Sequence, residues 1–137
     1  MSQEKRRVLL DANFLMIPSQ FGVDIFAGLQ QACTFPYELC VVQPVIDELR
    51  GIASGSGRDA RGAAVALELV ERKGLKIVDA GSPGGEKIKN ADEFMLSIVR
   101  RDRDLVATQD RELRRALKEK DIATIVLRKR RVLEIQW

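Results

Sequence analysis

VLLDANFLM, residues 8–16, sets three apolar residues against an acid, and the pattern returns near the other end of the chain as LVATQDREL, residues 105–113. Each reads as a short buried strand that delivers a carboxylate, Asp11 or Asp110, at its carboxyl end, where open α/β sheets carry their sites. Strand signals of this kind cover Arg7–Leu10, Leu39–Gln43, Lys76–Val78, Leu105–Thr108 and Thr124–Leu127. Helical patterns fill the gaps. They span Val23–Ala32, Pro44–Ile52 with Pro44 at its first position, Asp59–Lys73 with Gly74 as its stop, Ala91–Arg101, and Asp110–Lys118. The order β-α-β-α-α-β-α-β-α-β predicts an α/β fold: a three-layer α/β/α sandwich around a mostly parallel sheet of about five strands. The tail RKRRVLEIQW alternates in polarity and is expected to be an edge hairpin partner of residues 124–127. GIASGSGRD (51–59) and AGSPGGEK (80–87) read as surface loops.

The length of 137 residues implies a single domain, residues 1–137, able to bury a core without disulfides or a structural metal. Neither a run of about 18 apolar residues nor a small-residue cleavage pattern is present, so a soluble cytoplasmic protein with no membrane attachment is expected. Cys33 and Cys40 lack CxxC spacing and read as buried thiols. The chain has no histidine. That excludes Ser-His-Asp, Cys-His and histidine-ligated zinc chemistry and leaves carboxylates, lysines and hydroxyls as actors.

The net charge of +3 is unevenly spread. Residues 1–86 hold nine Lys/Arg against eleven Asp/Glu, a net of −2, whereas residues 87–137 hold fourteen against nine, a net of +5. The cations come in groups that include Arg111 and Arg114, and Arg128, Lys129, Arg130 and Arg131. Such groups suit the phosphates of RNA or DNA. They equally suit a solvated helix face and a charged edge strand, and charge alone weighs the two readings about evenly.

Four acids stand at element ends: Asp11, Glu48 in PVIDELR, Asp92 in KNADEFML, and Asp110. Each has an ordinary reading. Asp11 with Asn13 makes a turn former, Glu48 borders the apolar stripe of its helix and would suit an ion pair with Arg7 or Arg50, Asp92 follows the helix-capping residue Asn90, and Asp110 is itself a helix cap. Taken together they ask for more. Carboxylates gathered at one end of a sheet repel by about 3 kcal/mol per pair at about 5 Å in an effective dielectric of about 20, and a divalent cation removes that cost. Oxygen ligands without histidine or thiolate select Mg²⁺ or Mn²⁺. Those ions catalyse phosphodiester cleavage by activating a water and neutralising phosphate charge, with Glu48 or Asp92 placed to accept the proton. Thr108 and Asn13 are expected to support the acids.

In this order and in the contexts DAN, IDEL, NADEFML and TQDREL, the four acids resemble those of the PIN-domain ribonucleases, over essentially the whole chain. The likeness is to the compact archaeal type, similar to VapC toxins and to ribosomal-RNA-processing PIN nucleases. It implies a parallel-sheet α/β/α fold, Mg²⁺ or Mn²⁺ held by Asp11, Asp92 and Asp110 with Glu48 completing a catalytic set, cleavage of RNA, a homodimer, and for the toxin branch an antitoxin partner. Asn13 and Thr108 match frequent polar residues of the family. Many relatives carry two consecutive Asp at the third motif where this chain has Asp92 then Glu93, so Glu93 is an alternative ligand. Two other readings are an RNA-binding scaffold in ribosome maturation and a receiver- or flavodoxin-like module, the latter lacking a lysine at a suitable strand end.

Overall fold

The computed structural model describes residues 5–79 and 90–137. In it the chain runs β1 (Arg6–Leu10), α1 (Ala12–Leu15), α2 (Ile17–Phe21), α3 (Ile25–Ala32), β2 (Tyr37–Val42), α4 (Gln43–Ala53) and α5 (Arg58–Arg72). There follow β3 (Lys76–Val78), α6 (Ala91–Ile98), β4 (Asp104–Ala107), α7 (Arg111–Glu119), β5 (Ala123–Arg128) and β6 (Val132–Gln136). The six strands form one sheet in the order β3-β2-β1-β4-β5-β6, parallel except for β6. Val8, Leu9, Leu10, Val41, Val42, Leu105, Val106 and Ile125 have no solvent exposure. These strands are continuously apolar because both sheet faces are covered, as parallel sheets require.

From β1 the chain steps outward to β2 and β3 on one side; after α6 it returns to β4 and β5 on the other. Right-handed crossovers taken in opposite directions lay helices on opposite faces, which gives the expected α/β/α sandwich. The reversal falls between β1 and β4. These two pair directly, with Leu10 opposite Ala107, so Asp11 and Thr108 leave the sheet side by side.

Several boundaries differ from those read in the sequence, each for a local reason. α1 and α2 were not anticipated: helices of four and five residues are too short to register a period, and they form by burying Phe14, Leu15 and Ile17. α3 begins two residues late because the Asp24 carboxylate accepts the N–H groups of Phe26 and Ala27. α6 stops at Ile98, short of Arg101, where Val99 turns extended. The proposed loop 51–59 is mostly helical, since α4 runs on to Ala53 and α5 begins at Arg58. Segment 80–87 lies outside the described residues.

The tail is the hairpin strand β6, a sixth strand, with Ile125 opposite Ile135. Lys129 and Arg130, central in its turn, hold positive φ of 52° and 59°, a conformation usually given to Asn-Gly. Gly28 of α3 allows β6 to seat closely, since a Cβ there would meet Leu133 Cδ1 at 2.9 Å. Cys33 and Cys40 are buried free thiols, and burial pushes both up to about 11, which disfavours the nucleophilic thiolate. Among the described residues no helix is long and apolar enough to cross a membrane.

Candidate active site

Asp11 ends β1, only 4% exposed, and caps α1. Its Oδ1 accepts the Ala12 N–H at 2.9 Å, and its Oδ2 accepts the Thr108 hydroxyl at 2.7 Å. Thr108 lies one residue beyond β4, fully buried, and its Oγ1 in turn accepts the Asp110 N–H at 3.1 Å. Asn13 Oδ1 accepts the Gln109 N–H at 3.1 Å. Two of these bonds, Thr108 Oγ1 to Asp11 and the Gln109 N–H to Asn13, therefore tie the end of β1 to the turn after β4. Asp110 then caps α7, accepting from Glu112 and Leu113.

The other two acids arrive from the side. Asp92 is in the first turn of α6, which Asn90 caps through the Glu93 N–H at 2.7 Å. Glu48 projects from α4, which packs against α6. The charges of these residues act on one another. Asp92 is pushed up to about 6, by burial first and then by Asp11, Asp110 and Glu112. Asp11 is raised chiefly by burial, with Glu48 and Asp110 adding to it against the hydrogen bonds from Thr108 and Ala12. Glu48, exposed overall, is raised by partial burial of its carboxyl and by Asp92. It forms no ion pair with Arg7 or Arg50 among the described residues; Arg7 bonds to Asp104 instead.

Asp11, Glu48, Asp92 and Asp110 thus share one neighbourhood at the sheet reversal. Among the described residues, no three of them stand close enough to enclose a cation as placed. Their chemistry nonetheless fits Mg²⁺ or Mn²⁺: every donor is a hard carboxylate oxygen, and the mutual repulsion is what a divalent ion relieves. Glu93 is exposed, and its charge is not among those raising Asp11, Glu48 or Asp92. Glu112 was missed by the sequence reading, although TQDREL places it in the first turn of the helix that Asp110 caps.

The basic candidates divide between two places. Arg111 and Arg114 lie on α7, starting immediately after Asp110. Arg128, Lys129, Arg130 and Arg131 form the β5–β6 turn, at the same sheet end as the acids because β5 runs parallel to β4. Arg128 is paired with Glu134 at 3.1 Å, and Arg130 sits 5.8 Å from the Phe21 ring centre.

The family model described as a PIN-like domain matches residues 8–130, which include all four acids. The chain belongs to the PIN-like domain family. It is similar to Ribonuclease VapC4 of Methanocaldococcus jannaschii, with 28% identity over 133 residues, 94% of this chain and 95% of that protein. Its fold is that of the PIN domain endonuclease Utp24, with a TM-score of 0.75 at 20% identity, covering 95% of this chain and 90% of that one. A domain of a functionally unknown protein from M. jannaschii shares it too, at a TM-score of 0.60 and 14% identity, covering 90% and 91%.

In this PIN-like chain Thr108 is the joint between the two acid-bearing strands. Thr108→Val should leave an Asp11 oxygen and the Asp110 N–H without their partner, at a cost of about 1–3 kcal/mol. Urea unfolding measures this. Unchanged stability would show that the hydroxyl does not hold the two ends together.

Proposed function

We propose that this chain is an Mg²⁺- or Mn²⁺-dependent endoribonuclease that hydrolyses RNA phosphodiester bonds. One observation carries the reading: carboxylates from four separate elements meet at the topological switch point, where Glu48 and Asp110 raise Asp11, Asp92 raises Glu48, and Asp11 and Asp110 raise Asp92, and where α/β folds bind ligands. Asp11, Asp92 and Asp110 would hold the metal. Bound there, the ion supplies activation of water and neutralisation of charge on the scissile phosphate. Glu48 completes the catalytic set, and its raised proton affinity suits it to accept the proton released in the attack. Thr108 holds Asp11, and Asn13 holds the turn that carries Asp110, so these two acids are positioned by the fold before substrate arrives. Arg111, Arg114 and the cations of the β5–β6 turn contact RNA phosphates.

The relative named Ribonuclease VapC4, similar over nearly its whole length, supports a toxin-type role; with that role we propose a protein antitoxin, a second copy of the chain and cytoplasmic RNA as partners. Purified protein should cut single-stranded RNA in Mn²⁺ or Mg²⁺ and stop when the metal is chelated. Cleavage that persists in excess chelator overturns the proposal. RNA binding without cleavage in either metal would point to the scaffold reading instead.

A further inference from the structure

A groove of about 600 Å³ lies between α7 and the edge of strands β5 and β6, lined by Arg111, Arg114, Arg115, Lys118 and Trp137 among others. Its size is that of ordinary small-ligand sites. Among the described residues no carboxylate lines it. None of the four cations forms an ion pair among the described residues, although α7 also carries Glu112 and Glu119. Arg114 Nε is buried with no hydrogen-bond partner. A solvated helix face would mix its charges and keep them in water; here four like charges gather around a cavity, and one guanidinium is partly desolvated without compensation.

Trp137, the chain's single tryptophan, supplies the other half of the argument. The Arg6 guanidinium stands 5.2 Å from its ring centre, and Phe35 meets it edge-on at 6.0 Å, so the indole is held in position. It remains 73% exposed. A fixed, exposed aromatic ring beside unpaired cations is the combination that binds single-stranded nucleic acid, with phosphates on the charges and a base on the ring. Thr124 and Gln136, opposite each other on β5 and β6, add neutral hydrogen-bonding groups to the same lining.

We propose that this groove is a nucleotide-binding subsite outside the cleavage centre, taking one phosphate-linked nucleoside of the bound RNA strand with its base against Trp137. The assignment rests on the endoribonuclease reading for the identity of the strand. Arg111 directly follows Asp110, and seven residues of helix separate it from Lys118, a rise of about 10 Å. A strand crossing the acids therefore continues along α7 into the groove.

Trp137 fluorescence tests this in the whole chain, with chelator present so that nothing is cut. Titration with a short single-stranded RNA should quench the emission, and inorganic polyphosphate of matched charge should not. Trp137→Ala should weaken RNA binding by about 5- to 100-fold, measured by anisotropy of labelled RNA. The exposed pair Arg115→Gln with Lys118→Gln keeps the indole and should lower the slope of log affinity against log salt by about 1.4. RNA binding with unchanged emission, and with unchanged affinity and salt slope in both variants, overturns the subsite and leaves the cleavage reading standing. Equal quenching and equal affinity for polyphosphate also overturn it, because the groove then recognises charge alone. Quenching and weakened variants in a protein that never cuts RNA in Mn²⁺ would uphold the subsite and sink the nuclease. Failure to bind RNA at all removes both.

Discussion

Asp92→Asn should lower metal-dependent RNA cleavage by about 10²–10³-fold or more, the range seen when one preorganised charged or polar group is removed from a reacting centre. Asn keeps the size of the side chain and its place in the first turn of α6, so folding is not the cause of the loss. The same change should leave the protein slightly more stable when metal is chelated. Asp92 is pushed up to about 6 by burial and by Asp11, Asp110 and Glu112, so its ionised form is disfavoured in the fold at neutral pH. Its partial exposure screens that cost to about 1 kcal/mol, from which the lost attraction between a carboxylate and the α6 N-terminus subtracts about 0.3–1 kcal/mol. Activity should thus fall steeply while the melting temperature in chelator holds or rises, the pattern of a residue kept for function. A melting temperature well below that of the parent would show that Asp92 serves as a helix-end charge. Retained Mn²⁺-dependent cleavage in carefully purified protein would remove it from the catalytic set.

Much of this was legible because parallel strands buried on both faces must be apolar runs, and VLL, LVA and TIVL stand out against a chain that is 31% charged. Acids that directly follow such runs emerge at the sheet's carboxyl edge whatever the detail of the loops, so Asp11 and Asp110 could be placed near each other from pattern alone. Asp92 and Glu48 were harder, since a helical acid's direction depends on how α6 and α4 pack, which no local signal encodes. The ordinary readings of Asp92 and Asp110 were also partly right: Asn90 and Asp110 do cap helices, and Asp110 does so while lying among the other acids. A hydrogen-bonding cap and a charged site can share one residue. What the sequence did not disclose was Asp104. It follows RRDR in a run of alternating charges that looks solvated, and only the pairing of β4 with β1 brings Arg7, distant in the chain, onto it.

That pairing makes Asp104 a residue whose replacement should destabilise the fold strongly. Its side chain is wholly buried at the start of β4, directly opposite Arg7 on β1. Arg7 grips both oxygens, Nε at 2.9 Å and Nη2 at 3.1 Å; Arg103 does likewise at 2.9 and 3.3 Å; and the Arg100 N–H adds a fifth bond at 2.9 Å. Burial by itself would raise the Asp104 pKa, but the bonds from Arg7, Arg103 and the Arg100 N–H outweigh it and hold the carboxyl below its usual range. Asp104→Asn substitutes a neutral amide, whose own N–H groups face the arginine donors, and strands two guanidinium groups. Breaking a buried pair in this way costs about 3–5 kcal/mol, and the partial exposure of Arg7 and Arg103 favours the lower end, about 3 kcal/mol. Against a whole-domain stability of roughly 5–15 kcal/mol this is a large share. The sign with pH follows from the depressed pKa. The unfolded chain binds the proton more readily, so the contribution is complete above the unfolded value of about 4 and is lost as pH falls through the lower folded value. Urea unfolding between about pH 2.5 and 7 should therefore show the parent losing stability on the acid side, and Asp104→Asn starting lower with a flatter acid limb. Parallel curves would mean that other carboxylates, not this one, govern acid unfolding. Because β1 and β4 carry Asp11 and Thr108 at their far ends, a loosened Asp104 variant should also cleave RNA less well at temperatures where it is still folded.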